Sequence, residues 1–325
     1  MNNEIPARQR PIPVNTDLIL EAEAAKKETG GIPSRVPSKI PPVRGAAPVK
    51  AMPAPSAAPV SKSVVKFGTL TKCNVGHRIL LYGPGGIGKT TLACALPGPV
   101  AFVDLDESLQ RLLPQLATSG LSENVVPVEG IATWSALRAA LQSDGWDDVR
   151  SIVIDTGTKA EELAIAWMFS NIKEKGVSVS RMEDYGYKSG YRHLFDTFNL
   201  LLCDLDAHAR AGRNVVLVCH ECAAKVPNPQ GLDWIRYEPR LAQDDKNCQL
   251  RYRAKEWADH VLALVYDVNV SDKGKGQGSG TRTIYTSELP YCMAKSRSVQ
   301  GPFPLTAGLE FVKESSEEFW AGIIN

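Results

Sequence analysis

The chain is predicted to fold as an α/β domain with a mainly parallel central sheet, an antiparallel C-terminal hairpin and a disordered N-terminal tail. Three observations carry that expectation. Strand-like apolar runs alternate with helical stretches between residues 78 and 219. The first of these strands runs directly into a glycine-rich loop and a helix. The first 63 residues are rich in proline and poor in core-forming side chains.

The tail is read first. Residues 1–66 hold eleven of the 22 prolines. They hold ten Lys or Arg and five Asp or Glu, against twenty-seven and thirty-one in the remainder, so a basic tail precedes a slightly acidic body. Such a segment buries too little apolar surface to offset its ordering entropy. Residues 40–59 favour polyproline II, and a short helix is expected at 17–25, capped by Asn15 or Thr16. The tail reads as a linker of no specific role, with an arm that contacts nucleic acid or a partner protein as the competing reading. The domain proper is placed at 64–325. The formal net charge of +1 singles out no partner. No apolar run follows the first basic residues as in a signal peptide, and none is long enough to span a membrane. Seven cysteines, an odd number, fit reduced thiols.

Residues 78–82, Arg-Ile-Leu-Leu-Tyr, form the first strand, and residues 83–90 read GPGGIGKT with Thr91 after them. The spacing G-x-x-x-x-G-K-T between a strand and a helix is the phosphate-binding P-loop. Gly83, Gly85, Gly86 and Gly88 let the backbone of Gly83, Pro84, Gly85, Gly86, Ile87 and Gly88 turn so that N–H groups converge on the phosphates of ATP. The helix opened by Lys89, Thr90 and Thr91 adds its partial positive charge and stops at Pro97-Gly98. Lys89 reaches the β- and γ-phosphates, and the Thr90 hydroxyl is a ligand for Mg²⁺.

Residues 100–104 make a second strand with Asp106 and Glu107 at its tip. A short strand is expected at 124–128, and a helix at 133–142 through Trp134, Leu137 and Leu141. Ser151-Ile152-Val153-Ile154-Asp155 is a buried parallel strand. Asp155 falls at its carboxyl end, where open α/β sheets hold ligands, and is the second expected contact for Mg²⁺. A helix over 159–175 leads to a polar loop at 176–190 carrying Tyr185, Tyr187 and Lys188, then to a long helix at 191–210. Residues 214–219 form another buried strand, with His220 and Glu221 at its carboxyl end. Cys219 and Cys222 make a C-x-x-C without the second ligand pair of a zinc site. Residues 222–253 lack periodicity and mix Lys225, Arg236, Arg240, Arg251 and Arg253 with Trp234 and Tyr237. Strands at 261–270 and 282–286 pair through a flexible connector at 273–280, and 310–324 adds a short helix or strand.

The order of P-loop, acidic strand tip at 101–107, Asp155 strand, polar strand end and basic hairpin segment resembles the RecA-type recombinase core over roughly residues 64–325. Within it, the chain looks closest to the phage Sak-type group of small single-strand annealing and recombination ATPases, phage AAA-type nucleotide-binding proteins. That finer likeness rests on Tyr185-Gly186-Tyr187, Cys219-His220-Glu221, Glu256-Trp257-Ala258-Asp259 and Ala294-Lys295-Ser296-Arg297. The resemblance implies a RecA-like P-loop NTPase core and Mg²⁺-dependent, DNA-stimulated ATP hydrolysis. It also implies a homo-oligomer, and single-stranded DNA held by loops at 176–190 and 223–247. A single-strand-binding protein or other recombination partner would be met through the tail, with no membrane association. The setting would be cytoplasmic, the host cytoplasm if phage-encoded. The water-orienting acid maps to Asp106, with Glu107 adjacent, and the γ-phosphate sensor to His220 or Glu221. Lys295 and Arg297 map to cations that reach a neighbouring subunit's nucleotide. A small-molecule P-loop kinase, which would want an arginine-bearing lid, and a nucleotide-gated assembly or adaptor protein are the competing readings.

Overall fold

The computed structural model describes residues 67–69, 74–244, 248–270, 276–305 and 313–324. The chain divides into two units, Met1–Gly68 and Thr69–Asn325. The tail expected over 1–63 lies outside the described residues, and the second unit carries everything below.

The strands are β1 (Arg78–Gly83), β2 (Val100–Asp104), β3 (Val125–Pro127), β4 (Ser151–Asp155), β5 (Asn214–Val226), β6 (Trp234–Pro239), β7 (Gln243–Asp244), β8 (Cys248–Gln249), β9 (His260–Val270), β10 (Gly276–Tyr285) and β11 (Pro302–Leu305). Nine of them form one sheet in the order β11-β10-β9-β1-β5-β4-β2-β3, with β6 paired to the far half of β5. Every pairing from β3 to β9 along that order is parallel, while β10, β11 and β6 pair antiparallel. β5 thus lies between the P-loop strand and the Asp155 strand, and its carboxyl end projects between theirs.

Strands buried on both faces must be apolar throughout, which is why β4 reads Ile-Val-Ile before its acid. Alternate side chains define two cores. Leu80, Tyr82, Ile152, Ile154 and Leu217 face α3 (Trp134–Gln142), α4 (Gly157–Asn171), α5 (Ser189–Arg210) and α6 (Leu250–Trp257), after α1 and α2 in the chain. Ile79, Leu81, Val153, Val216 and Val218 face α1 (Lys89–Cys94), α2 (Leu109–Thr118) and α7 (Lys313–Ile324). Within that second core the Trp320 indole donates to the Leu92 carbonyl at 2.8 Å, tying α7 to the P-loop helix. The fold is the predicted α/β class. None of its described helices is long and apolar enough to cross a membrane.

Several local expectations are corrected. Helix α2 escapes a sequence reading because Pro114 sits inside it, where proline removes a backbone donor and normally ends a helix. Much of the described part of the aperiodic stretch after residue 221 is regular structure, joined by a turn at 227–233. It forms the β5–β6 hairpin, from Glu221 opposite Pro239 out to Val226 opposite Trp234, and then α6. In the 176–190 segment Tyr185 is 1% exposed. Its hydroxyl lies 3.2 and 3.0 Å from the Met168 and Ile172 carbonyls at the end of α4, so it serves the core and leaves Tyr187 as the exposed tyrosine there. The expected connector at 273–280 is strand from Gly276 onward. Cys219 and Cys222, three apart on β5, project from opposite faces and cannot share an ion.

Candidate nucleotide site

The P-loop connects the carboxyl end of β1 to α1. A Cβ at Gly83 would fall 2.3 Å from the Leu264 carbonyl oxygen of β9, so this glycine is required by strand packing rather than by phosphate. Gly86 and Gly88 have φ of 74° and 101°, a region open to glycine at little cost. A Cβ on Gly85 or Gly86 would meet nothing within 4 Å, because the loop borders a cavity of about 660 Å³. Lys89 is largely buried at its floor, its ammonium donating to the carbonyls of Gly83 (3.0 Å) and Pro84 (2.8 Å). Burial lowers its pKa.

The Thr90 hydroxyl donates to Asp155 Oδ2 at 2.6 Å. Asp155 is 2% exposed and burial pushes its carboxyl up to about 6. A buried carboxylate beside a hydroxyl, at the end of a strand and the start of a helix, is an all-oxygen donor pair of the kind Mg²⁺ prefers. Bound there, Mg²⁺ would offset the charge that burial disfavours on Asp155 and neutralise phosphate oxygens. Thr90 and Asp155 are the residues that would hold it.

The acids at the tip of β2 divide by role. Asp104 caps α2: its carboxylate accepts from the backbone N–H of Ser108 (3.0 Å) and Leu109 (2.7 Å), where the helix end favours negative charge. That cap holds the turn that carries Asp106 and Glu107 into the cavity wall. Asp106 Oδ2 accepts from the Thr156 hydroxyl at 3.1 Å and lies 3.4 Å from His220 Nε2. His220 also lines the cavity, and burial, reinforced by Lys89, lowers its pKa. Glu221, the next residue along β5, projects to the opposite face and does not line the cavity. Of His220 and Glu221, strand alternation places His220 at the cavity.

Asp106 is aimed by Thr156 and His220, whereas Glu107 sits at a positive φ of 53° in the turn. Asp106→Asn is therefore expected to slow hydrolysis by at least about 10²-fold with nucleotide affinity near normal, and Glu107→Gln to act more weakly. Single-turnover hydrolysis beside equilibrium nucleotide binding decides it. An unchanged rate in Asp106→Asn would remove the acid from the mechanism.

Lys295 and Arg297 are not brought to this cavity. Lys295 pairs with Val261 near the start of β9, and its ammonium donates to the Lys255 (3.0 Å) and Ala258 (2.6 Å) carbonyls at the end of α6. Arg297 lies 3.4 Å from Asp259, which binds the backbone of Arg78 where β1 begins. The P-loop starts at the other end of β1, roughly 16 Å away at the rise of a strand. The cavity holds instead Arg282 of β10 and Arg111 of α2, which sequence reasoning did not single out. The one signal for Arg282 was its place two residues before the apolar Ile284 of an expected strand. Nothing local linked it to a loop 195 residues earlier.

A P-loop lysine, a hydroxyl bound to a strand-end carboxylate and a second acid held by a strand-end imidazole together define a P-loop nucleotide-binding domain. The chain belongs to the AAA domain family: the AAA_24 profile of that domain matches residues 76–298. Among solved structures it is similar to a KaiC-like protein of the hyperthermophilic archaeon Pyrococcus horikoshii, with 16% identity and a TM-score of 0.39 over 72% of this chain and 87% of that one. It is also similar to a RadB recombinase, with 16% identity and a TM-score of 0.40 over 71% of this chain and 88% of that one. No curated protein matches the chain in sequence.

Proposed function

We propose that the chain is a Mg²⁺-dependent ATPase that works on single-stranded DNA in recombination or annealing, of the phage Sak type, as a homo-oligomer. The observation that carries this reading is the continuity of β5. One strand supplies His220 to the nucleotide cavity and then runs out, unbroken, into the β5–β6 hairpin. The base of the hairpin is clamped to the start of α4, just after Asp155. The Thr158 hydroxyl donates to the Arg240 carbonyl at 3.2 Å and accepts from the His220 N–H at 3.2 Å. A change at the γ-phosphate therefore has a short bonded route to the hairpin.

The hairpin exposes Ile235 and Tyr237 (43%) on one face, with Tyr291 beside Tyr237, and Trp234 (37%) on the other. Its cations are largely paired: Arg236 with Glu238 and Glu288, Lys225 with Asp233. DNA binding along this hairpin would draw on base stacking more than on phosphate neutralisation. An ATPase assay with and without single-stranded DNA tests the reading. Stimulation is expected, and Trp234→Ala or Tyr237→Ala should cut it several-fold. Nucleotide binding with no stimulation at any salt would favour the adaptor reading, and phosphoryl transfer to a small molecule the kinase.

Assembly enters through Arg297, which is 68% exposed on its side chain, whereas Lys295 is committed to α6. To reach a neighbour's P-loop, Arg297 must present the amino end of its own parallel strands to the carboxyl end of the neighbour's. Such a contact is head-to-tail, and builds rings or filaments. The basic composition of residues 1–63 suits that segment to meet a single-strand-binding protein or other partner.

A further inference from the structure

We infer that Arg282 is a catalytic cation supplied in cis, exchanging the P-loop backbone for the terminal phosphate when ATP binds. The inference rests on the ATPase reading above and adds to it a residue from the antiparallel part of the sheet. Its strand, β10, is separated from β1 by β9, yet Arg282 Nη1 donates to the Ile87 carbonyl of the P-loop and its side chain lines the cavity beside Lys89.

The placement is built, not incidental. The β9–β10 register shifts between Gly278 and Arg282, the kind of irregularity that re-aims a side chain. On either side of the arginine, the hydroxyls of Thr281 and Thr283 donate to the two carboxylate oxygens of Asp267 at 2.6 and 2.7 Å, fixing β10 to β9. Ile284, two residues on, is fully buried under the same face. The guanidinium is thus held by a rigid strand, whereas Arg111, the other arginine of the cavity, stands on an exposed part of α2.

A guanidinium gains more from an ionised phosphate oxygen than from a neutral carbonyl, and its planar fork matches phosphate geometry. The terminal phosphate of ATP therefore competes for Arg282, and the diphosphate of ADP lacks that group. In the transition state of phosphoryl transfer, charge spreads over the γ-oxygens, where a fixed cation stabilises most. No atoms are transferred to or from Arg282.

The test uses the full-length chain, Arg282→Ala and Arg282→Lys. Affinity is measured for ADP and for a non-hydrolysable ATP analogue, with ATP turnover and melting alongside. Arg282→Ala should lower kcat by about 10²–10³-fold and analogue affinity by about 10-fold, with ADP affinity within about two-fold of wild type. Arg282→Lys, which keeps the charge without the fork and guards against loss of fold, should fall between. Mixing Arg282→Ala with Lys89→Ala should restore nothing, because no site in a mixed oligomer has both groups in one chain. Equal losses for ADP and analogue would reduce Arg282 to loop support, and rescue on mixing would make it a trans residue; either overturns the inference. Normal turnover by Arg282→Ala would overturn it while leaving the ATPase reading intact. A wild type that binds ATP but never hydrolyses it would sink that reading instead.

Discussion

Lys89→Ala is expected to abolish ATP hydrolysis, lowering kcat by at least about 10³-fold, while the fold persists. The ammonium sits on the floor of the cavity at 2.8–3.0 Å from two P-loop carbonyls, directed there by the turn that ends β1. No other side-chain cation comes from the loop itself, so its loss would leave the β- and γ-phosphates with backbone donors and the guanidinium of Arg282 on β10. Stability should change little. Burial already lowers the pKa of Lys89, which means its charge is held at some cost that the alanine variant avoids. Phosphate release, nucleotide binding and thermal melting on one preparation check the three parts of this expectation. Turnover at the wild-type rate would show that the cavity at Gly85–Lys89 is not where phosphoryl transfer occurs.

The contrast between Lys89 and Arg282 shows what a sequence displays. Lys89, Thr90 and the glycines form one contiguous unit whose chemistry is local, so the strand, loop and helix around them are legible at once. Asp155 is legible for a related reason, since a strand buried on both faces must be apolar until it reaches the ligand-bearing end. His220 and Glu221 were legible only as a pair, because choosing between them needs the face of β5 that meets α1. Arg282 was not legible at all. Its contact with Ile87 exists only because β10 folds back on β9, and a register shift no residue pattern announces turns the side chain inward. The exposed aromatics misled in the same way. Tyr185 and Tyr187 look alike in a glycine-flanked loop, and only packing against the end of α4 makes one of them core. Likewise Arg236 reads as a cation for DNA until Glu238, two residues on along β6, and Glu288, beyond β10, engage it.

Asp155→Asn is expected to be inactive and more heat-stable than the wild type. Burial is the largest influence on its carboxyl, raising it from the ordinary range of an aspartate to about 6, against the lowering effect of the Thr90 hydrogen bond. A folded-state pKa above the unfolded one means that the folded protein binds the extra proton between those values. Stability therefore falls as pH rises through that window, and above it the full penalty of a buried charge is present. At one pKa unit per 1.36 kcal/mol, the penalty at pH 7 is on the order of 1–3 kcal/mol. Asparagine carries no charge, and its side-chain oxygen can still accept from Thr90, so the variant should melt a few degrees higher without ligand. Its stability should also lose the wild type's decline between about pH 4 and pH 6. The same substitution removes the anionic oxygen that would hold Mg²⁺. Adding Mg²⁺ with nucleotide should raise the melting temperature of the wild type and leave the variant nearly unmoved. Melting curves across that pH range, with and without Mg²⁺ and nucleotide, test both halves together. A variant that melts lower than the wild type at pH 7 and keeps Mg²⁺-dependent turnover would mean that Asp155 supports the fold and that the metal is held elsewhere.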